Sequence, residues 1–230
     1  MTMIEINLRA VRDRMTLACQ AAGRDVSKVT LLAVSKTFGP DAVLAAHAAG
    51  QTAFGENYIQ EAVEKITALR HLPLQWHCIG PIQSNKTRLV AEHFDWVHTV
   101  DRLKVAQRLS EQRPAHLAPL QVCIQVNADG GSGKSGVRPE EALALAQQVA
   151  ALPGLRLRGV MSIPEPAPDF ESSCVLFMPV RAVFDALNAQ GLNLDTLSIG
   201  MSADLEAAIA SGSTLVRVGS AIFGGRTKPA

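Results

Sequence analysis

The sequence is poor in aromatic residues, at 4%, with one tyrosine and two tryptophans in 230 residues. Few platforms remain on which bases could stack. Net charge is also lacking: 22 basic residues stand against 21 acidic ones, giving +1. Such a balance leaves no electrostatic footprint for nucleic acid or an anionic membrane. The four cysteines, Cys19, Cys78, Cys123 and Cys174, are far apart and form no CxxC pair. That excludes a disulfide framework or a cysteine zinc site and fits a reducing compartment. The six histidines show no metal-ligand spacing. No apolar run is long enough to cross a bilayer. Met1 to Arg14 alternates charged and apolar residues, where a signal peptide needs an unbroken apolar core. The expectation is a cytoplasmic monomer with neither nucleic acid nor membrane as partner.

What is present is a hydrophobic content of 47%, enough for a substantial core. Ile4, Leu8, Val11, Met15 and Ala18 recur at spacings of three and four, which predicts an amphipathic helix. After it, strand candidates alternate with helix candidates. The strands are Val29–Lys36, Thr52–Asn57, Leu74–Gly80, Trp96–Val100, Leu120–Asn127, Leu155–Ile163, Thr196–Gly200 and Leu215–Val218. The helices are Pro40–Ala49, Tyr58–Leu69, Gln83–His93, Asp101–Gln112, Pro139–Leu152, Phe170–Gln190 and Ser202–Ser211. Pro40 and Pro139 with following acids mark first turns, Asp101 and Ser202 are candidate N-caps, and Gly50, Gly191 and Gly212 are candidate helix stops. Eight such alternations without an internal boundary predict one α/β domain over residues 1–230. It would be a (β/α)8 TIM-type barrel with an extra N-terminal helix. A doubly wound open sheet is the structural alternative.

In such a barrel the site lies at the C-terminal ends of the strands. Those ends carry Lys36, Asn57, His77 with Gly80, Asn127, Met161, Gly200 with Ser202, and Arg217 with Gly219. Lys36 closes an apolar, doubly buried strand, a setting that can free an amine nucleophile. The loops Ser198-Ile199-Gly200-Met201-Ser202 and Arg217-Val218-Gly219-Ser220 follow the last two strands, where this fold commonly holds a phosphate. A lysine on one side of the closing seam and an anion site on the other suit a small phosphorylated carbonyl compound. Pyridoxal 5′-phosphate, held as a lysine Schiff base, is the candidate.

Several motifs point the same way: Val34-Ser35-Lys36-Thr37, Phe54-Gly55-Glu56-Asn57-Tyr58, Trp76-His77-Cys78-Ile79-Gly80 and Gln83-Ser84-Asn85-Lys86, then Lys134-Ser135-Gly136 and the two final loops. With these the chain resembles the pyridoxal phosphate homeostasis proteins, relatives of the alanine racemase N-terminal domain. The resemblance implies that Lys36 carries the cofactor and that Ser202, Gly219 and Ser220 hold its phosphate. It implies too that Arg217 faces the pyridine nitrogen and that Asn57 and Met201 line the site. His77 joins the candidates because its strand points toward the mouth. The Asp129-Gly130-Gly131-Ser132-Gly133 insert before Lys134 departs from the pattern.

An arginine is always charged and only donates, so Arg217 would keep the ring nitrogen unprotonated and weaken it as an electron sink. Tyr58 is the only tyrosine, and no second domain is left to supply an acid or base from the opposite face. The expected role is therefore a non-enzymatic carrier in intracellular homeostasis of pyridoxal phosphate. Its partners would be pyridoxal phosphate-dependent apoenzymes or the enzymes that produce the cofactor. A weakly active racemase-like enzyme is the alternative. Ala128 to Ser135 also resembles a relaxed phosphate-binding loop of a nucleotide-binding protein. There, however, alanine stands at the first motif position, and Gly136 and Pro139 follow at once, so the helix is expected to start near Pro139 and a nucleotide-binding protein stays a remote alternative.

Overall fold

Successive side chains of a strand face opposite ways, and both faces are buried here. In β1 (Thr30–Val34), Leu31 and Ala33 join the large core beneath the helices, whereas Leu32 and Val34 cluster inside the sheet with Ala53, Ile79 and Leu215. The computed structural model describes residues 2–131 and 134–225. Among them, β1, β2 (Ala53–Glu56), β3 (Gln75–Cys78), β4 (Trp96–Val100), β5 (Leu120–Gln125), β6 (Leu155–Met161), β7 (Thr196–Ser198) and β8 (Leu215–Val218) form a closed parallel barrel in chain order. The barrel is the expected one, and the open sheet is excluded by the pairing of β1 with β8, which sets Leu32 opposite Arg217. Every strand falls within its expected segment, and several stop a residue or more short of the predicted end.

The N-terminal helix α1 (Met3–Ala21) starts with a capping box between Thr2 and Glu5 and buries Leu8, Val11, Met15, Ala18 and Cys19. α2 (Pro40–Ala48) opens on Pro40, and α3 (Ile59–Ala68) follows β2. The remaining helices are α4 (Thr87–His93), α5 (Leu103–Gln112), α6 (Ala142–Ala150), α7 (Phe170–Ala189), α8 (Leu205–Ala210) and α9 (Ser220–Phe223). Gly50, Gly191 and Gly212 all have positive φ just past a helix end, as helix stops should. Phe177, Val180, Val183 and Leu187 pack α7 into the core.

Two expected caps are displaced. Arg102, in extended conformation, precedes α5, and the Asp101 carboxylate pairs instead with the Arg102 guanidinium at 2.8 Å. α8 starts at Leu205 rather than near Ser202. The Asp204 carboxylate accepts the Met201 N–H at 2.6 Å, and that turn uses up residues 201–204 before a helix can begin. In the glycine-rich loop, Ser132 and Gly133 lie outside the described residues. A turn of 3-10 helix, Pro139–Glu141, leads into α6, so the helix begins after Pro139 and not at Lys134.

No helix among the described residues is long and apolar enough to cross a membrane, and no group of histidine, cysteine or acidic residues is arranged to hold a metal ion.

Candidate functional site

The C-terminal mouth of the barrel holds a cavity of about 400 Å³, within the size range of small-molecule sites. Lys36, Asn57, Met201, Ser202, Arg217, Gly219 and Ser220 line it together, across the seam where β1 meets β8. Apolar walls come from Val34, Phe38, Ile79 and Ile163. Seven of the eight sequence candidates are thus gathered at one place. Nothing in the periodicity marked Phe38, Ile79 or Ile163, because apolar residues at strand ends read as ordinary core.

His77 is the exception. Its strand does run toward the mouth, but at this level the ring points into the barrel. Ile79, two residues on and on the same face, is the residue that reaches the cavity. His77 stacks on Trp96 at 5.2 Å, and it lines a smaller pocket at the opposite end with Gln75, Trp96 and Arg158. Gln75, Trp96, Thr196 and Leu215 each begin a strand, which marks that pocket as the N-terminal end. Asn127 and Met161 do not line the cavity either: the Asn127 amide donates to Gly131 O at 3.1 Å, and Met161 is buried with Trp96 and Cys123.

Lys36 is half-buried and lies between two residues that are held tightly. Ser35 Oγ donates to Glu56 Oε1 at 2.6 Å, and Lys65 Nζ donates to the same oxygen at 2.7 Å and to Ser35 O at 3.0 Å. Lys65 also donates to Glu61 Oε1 at 3.1 Å, and that oxygen accepts the Thr37 N–H at 2.8 Å. Thr37 has φ +67°, the left-handed region that a β-branched residue rarely enters. The network therefore fixes the backbone on both sides of Lys36. Burial pushes the Glu56 carboxyl up, against the opposing pull of Lys65. The available signals were an acid inside an apolar strand and the Glu61, Lys65 pair at helical spacing.

Arg217 is buried, and its guanidinium is pushed down to about 10 by burial, so it stays charged at neutral pH. Nη1 donates to Ser198 O and Ser198 Oγ, both at 2.7 Å, and Nη2 donates to Ser162 O at 3.0 Å. These bonds use three of the five N–H donors of an arginine.

The loop from β7 is shaped by Gly200, at φ +93°, where a Cβ would come within 2.3 Å of the Ala208 Cβ. From outside, Arg14 of α1 donates to both Glu206 oxygens at 2.9 Å and to Ser202 O at 3.2 Å. Glu206 is thereby turned away from the cavity.

Lys134 lies beside the mouth without lining the cavity. It pairs with Asp129 at 2.5 Å and Glu165 at 2.9 Å, and so ties the loop after β5 to the loop after β6.

Asn57 lines the cavity, and its buried Oδ1 has no hydrogen-bond partner among the described residues. It is an acceptor waiting for a donor such as a ring hydroxyl. A buried cation, a primary amine, the hydroxyls of Thr37, Ser202 and Ser220, and apolar walls complete the set. The residues fit pyridoxal 5′-phosphate.

A closed parallel barrel with a lysine after its first strand and a glycine- and serine-lined seam after its eighth defines a class, that of the alanine racemase N-terminal domain, whose family model matches residues 6–227. The chain belongs to the pyridoxal phosphate homeostasis proteins within that family. It is 58% identical to the pyridoxal phosphate homeostasis protein of Pseudomonas aeruginosa over 226 residues, covering 98% of this chain and 97% of that one. The structure of PipY from Synechococcus elongatus with pyridoxal phosphate bound superposes with a TM-score of 0.82 at 35% identity, covering 96% of this chain and 100% of PipY. Alanine racemase of Clostridium difficile shares the fold, with a TM-score of 0.71 at 16% identity, covering 94% of this chain and 57% of the racemase.

Proposed function

We propose that this protein binds pyridoxal 5′-phosphate covalently through Lys36 and serves its intracellular homeostasis, buffering or delivering the cofactor. One observation carries the reading: a single cavity brings Lys36 together with Ser202, Ser220, Asn57 and the buried Arg217. When bound, the cofactor supplies an aldehyde that condenses with amines and a ring that withdraws electrons from them. The chain's residues would act around it. Ser202 and Ser220 bind the phosphate beside Gly219, and Arg217 presents its two remaining N–H donors to the ring nitrogen. Asn57 accepts from the ring substituent, and the clamp of Glu56, Lys65 and Glu61 orients Lys36.

The protein is proposed to work as a carrier and not as an enzyme. Tyr58 is exposed and does not line the cavity, so it is not in place as an opposing acid or base. An always-charged donor at the ring nitrogen also disfavours carbanion chemistry. The proposed setting is the cytoplasm, as a monomer, with apoenzymes or cofactor-producing enzymes as exchange partners.

The test is an absorbance spectrum of the purified protein before and after borohydride, followed by peptide mapping. Borohydride should bleach the yellow band and leave the cofactor permanently on the peptide containing Lys36. Labelling only of Lys134 or Lys86, or turnover of a common amino acid at roughly 1 s⁻¹ or faster, would overturn the reading.

A further inference from the structure

An unbroken hydrogen-bonded column runs through the barrel interior. Arg217 Nη1 donates to Ser198 Oγ at 2.7 Å, and Ser198 Oγ lies 2.9 Å from His98 Nδ1. His98 Nε2 lies 2.9 Å from His77 Nδ1, and His77 Nε2 lies 3.0 Å from Gln75 Oε1. Ser198 and His98 are fully buried and His77 nearly so, whereas Gln75 is exposed at the N-terminal end. The column therefore joins one end of the barrel to the cavity at the other.

Chemistry at the two ends sets the direction of every bond between them. A guanidinium cannot accept, so Ser198 Oγ accepts from Arg217 and must place its own proton elsewhere. Among the described residues, His98 Nδ1 is the acceptor within its reach. At the far end Gln75 Oε1 can only accept, so His77 Nε2 carries a proton. Neutral imidazoles then require His98 Nδ1 bare with Nε2 protonated, and His77 the same. Burial disfavours the charged form of both rings, and the Arg217 charge adds to this at His98.

We infer that His98 and His77 are positioning residues for the cofactor site. As a neutral, one-directional relay they lock Ser198 as acceptor and donor, and so hold the Arg217 guanidinium with the two donors that no described residue takes toward the cavity. The inference deepens the cofactor reading of that cavity and rests on it for its functional consequence. The relay itself is a property of the protein without cofactor.

Two measurements test it. In the protein without cofactor, nitrogen-15 NMR of the imidazole rings at neutral pH should show both His77 and His98 neutral and protonated at Nε2. Ser198→Ala should shift the His98 Nδ1 resonance, because that bare nitrogen loses the hydroxyl that donates to it, while Gln75 still holds the tautomer from the far end. Protonation at Nδ1 on either ring, a charged ring, or an unaltered His98 in Ser198→Ala would overturn the relay, whether or not cofactor binds. In the cofactor-loaded protein, His98→Leu should shift the bound absorption band and weaken affinity roughly tenfold, the worth of about one hydrogen bond. His98→Gln, which keeps one acceptor and one donor, should restore the band. A band and affinity unmoved in His98→Leu would overturn the positioning role.

Discussion

Lys65 Nζ donates to Glu56 Oε1 at 2.7 Å, and both side chains are buried. The pair's purpose is legible from what else it touches. Ser35, the residue before Lys36, bonds to both partners, and Thr37, the residue after it, bonds to Glu61, which also pairs with Lys65. An ion pair seldom adds stability over apolar packing, but it imposes a geometry.

Removing one partner should therefore be costly. Lys65→Met leaves the Glu56 carboxylate buried without its cation, and destabilisation of about 3–5 kcal/mol is expected. Urea unfolding measures it. The Lys65→Met, Glu56→Leu double variant should regain most of that stability but still bind cofactor more weakly, because Ser35 loses both side-chain contacts. Wild-type affinity in the double variant would show that the clamp does not position Lys36.

Hydrogen bonds to a charged group are worth about 1.5–3 kcal/mol. Loss of the Ser202 or Ser220 hydroxyl should thus weaken cofactor binding by roughly tenfold to a hundredfold. Inorganic phosphate should compete with the cofactor in the wild type and much less in the Ser202→Ala, Ser220→Ala double variant. Titration of bound absorbance against phosphate reads both effects. Unchanged affinity in the double variant would put the phosphate elsewhere.

The buried histidines make stability depend on pH. Burial drives His77 down to about 3 and His98 well below its ordinary 6.5, so the folded chain binds fewer protons than the unfolded one in mild acid. Both contributions are complete above the unfolded value and are lost as pH falls below it. Between pH 6 and pH 5 the two rings together should cost about 2 kcal/mol. Denaturant unfolding at the two pH values measures the loss. Replacing His98 by Gln should remove about half of the slope.

Lys134 joins Asp129 and Glu165 across two loops at the mouth. Lys134→Ala should speed both entry and release of cofactor while changing the equilibrium at Lys36 far less. Stopped-flow absorbance gives the two rates. A large loss of affinity with an unchanged entry rate would instead make Lys134 a direct cofactor contact.

Much of this protein was determined by sequence alone. Apolar runs of strand length, alternating with capped amphipathic segments, predicted a barrel, and the pairing of β1 with β8 decided it against the open sheet. Of the residues that end those runs, Lys36, Asn57, Ser202 and Arg217 line the cavity, whereas His77, Asn127 and Met161 do not. This follows because parallel strands all finish at one end of the sheet, so chain order alone gathers their ends.

What sequence could not decide was direction within the barrel. His77 sits near the end of β3, yet it faces the interior column, and the cavity contact falls to Ile79. Which face of a doubly buried strand points inward, and at what height, depends on the tilt and stagger of the closed barrel. The start of α8 depended on Asp204 capturing the Met201 N–H, a local bond that competes with the helix. Glu56 and Lys65, nine residues apart, became a pair only when α3 folded back along β2, and Ser198, His98 and His77 became a column only when β7, β4 and β3 closed around one axis. Contacts between strands distant in sequence are set by closure, and closure exists only in three dimensions.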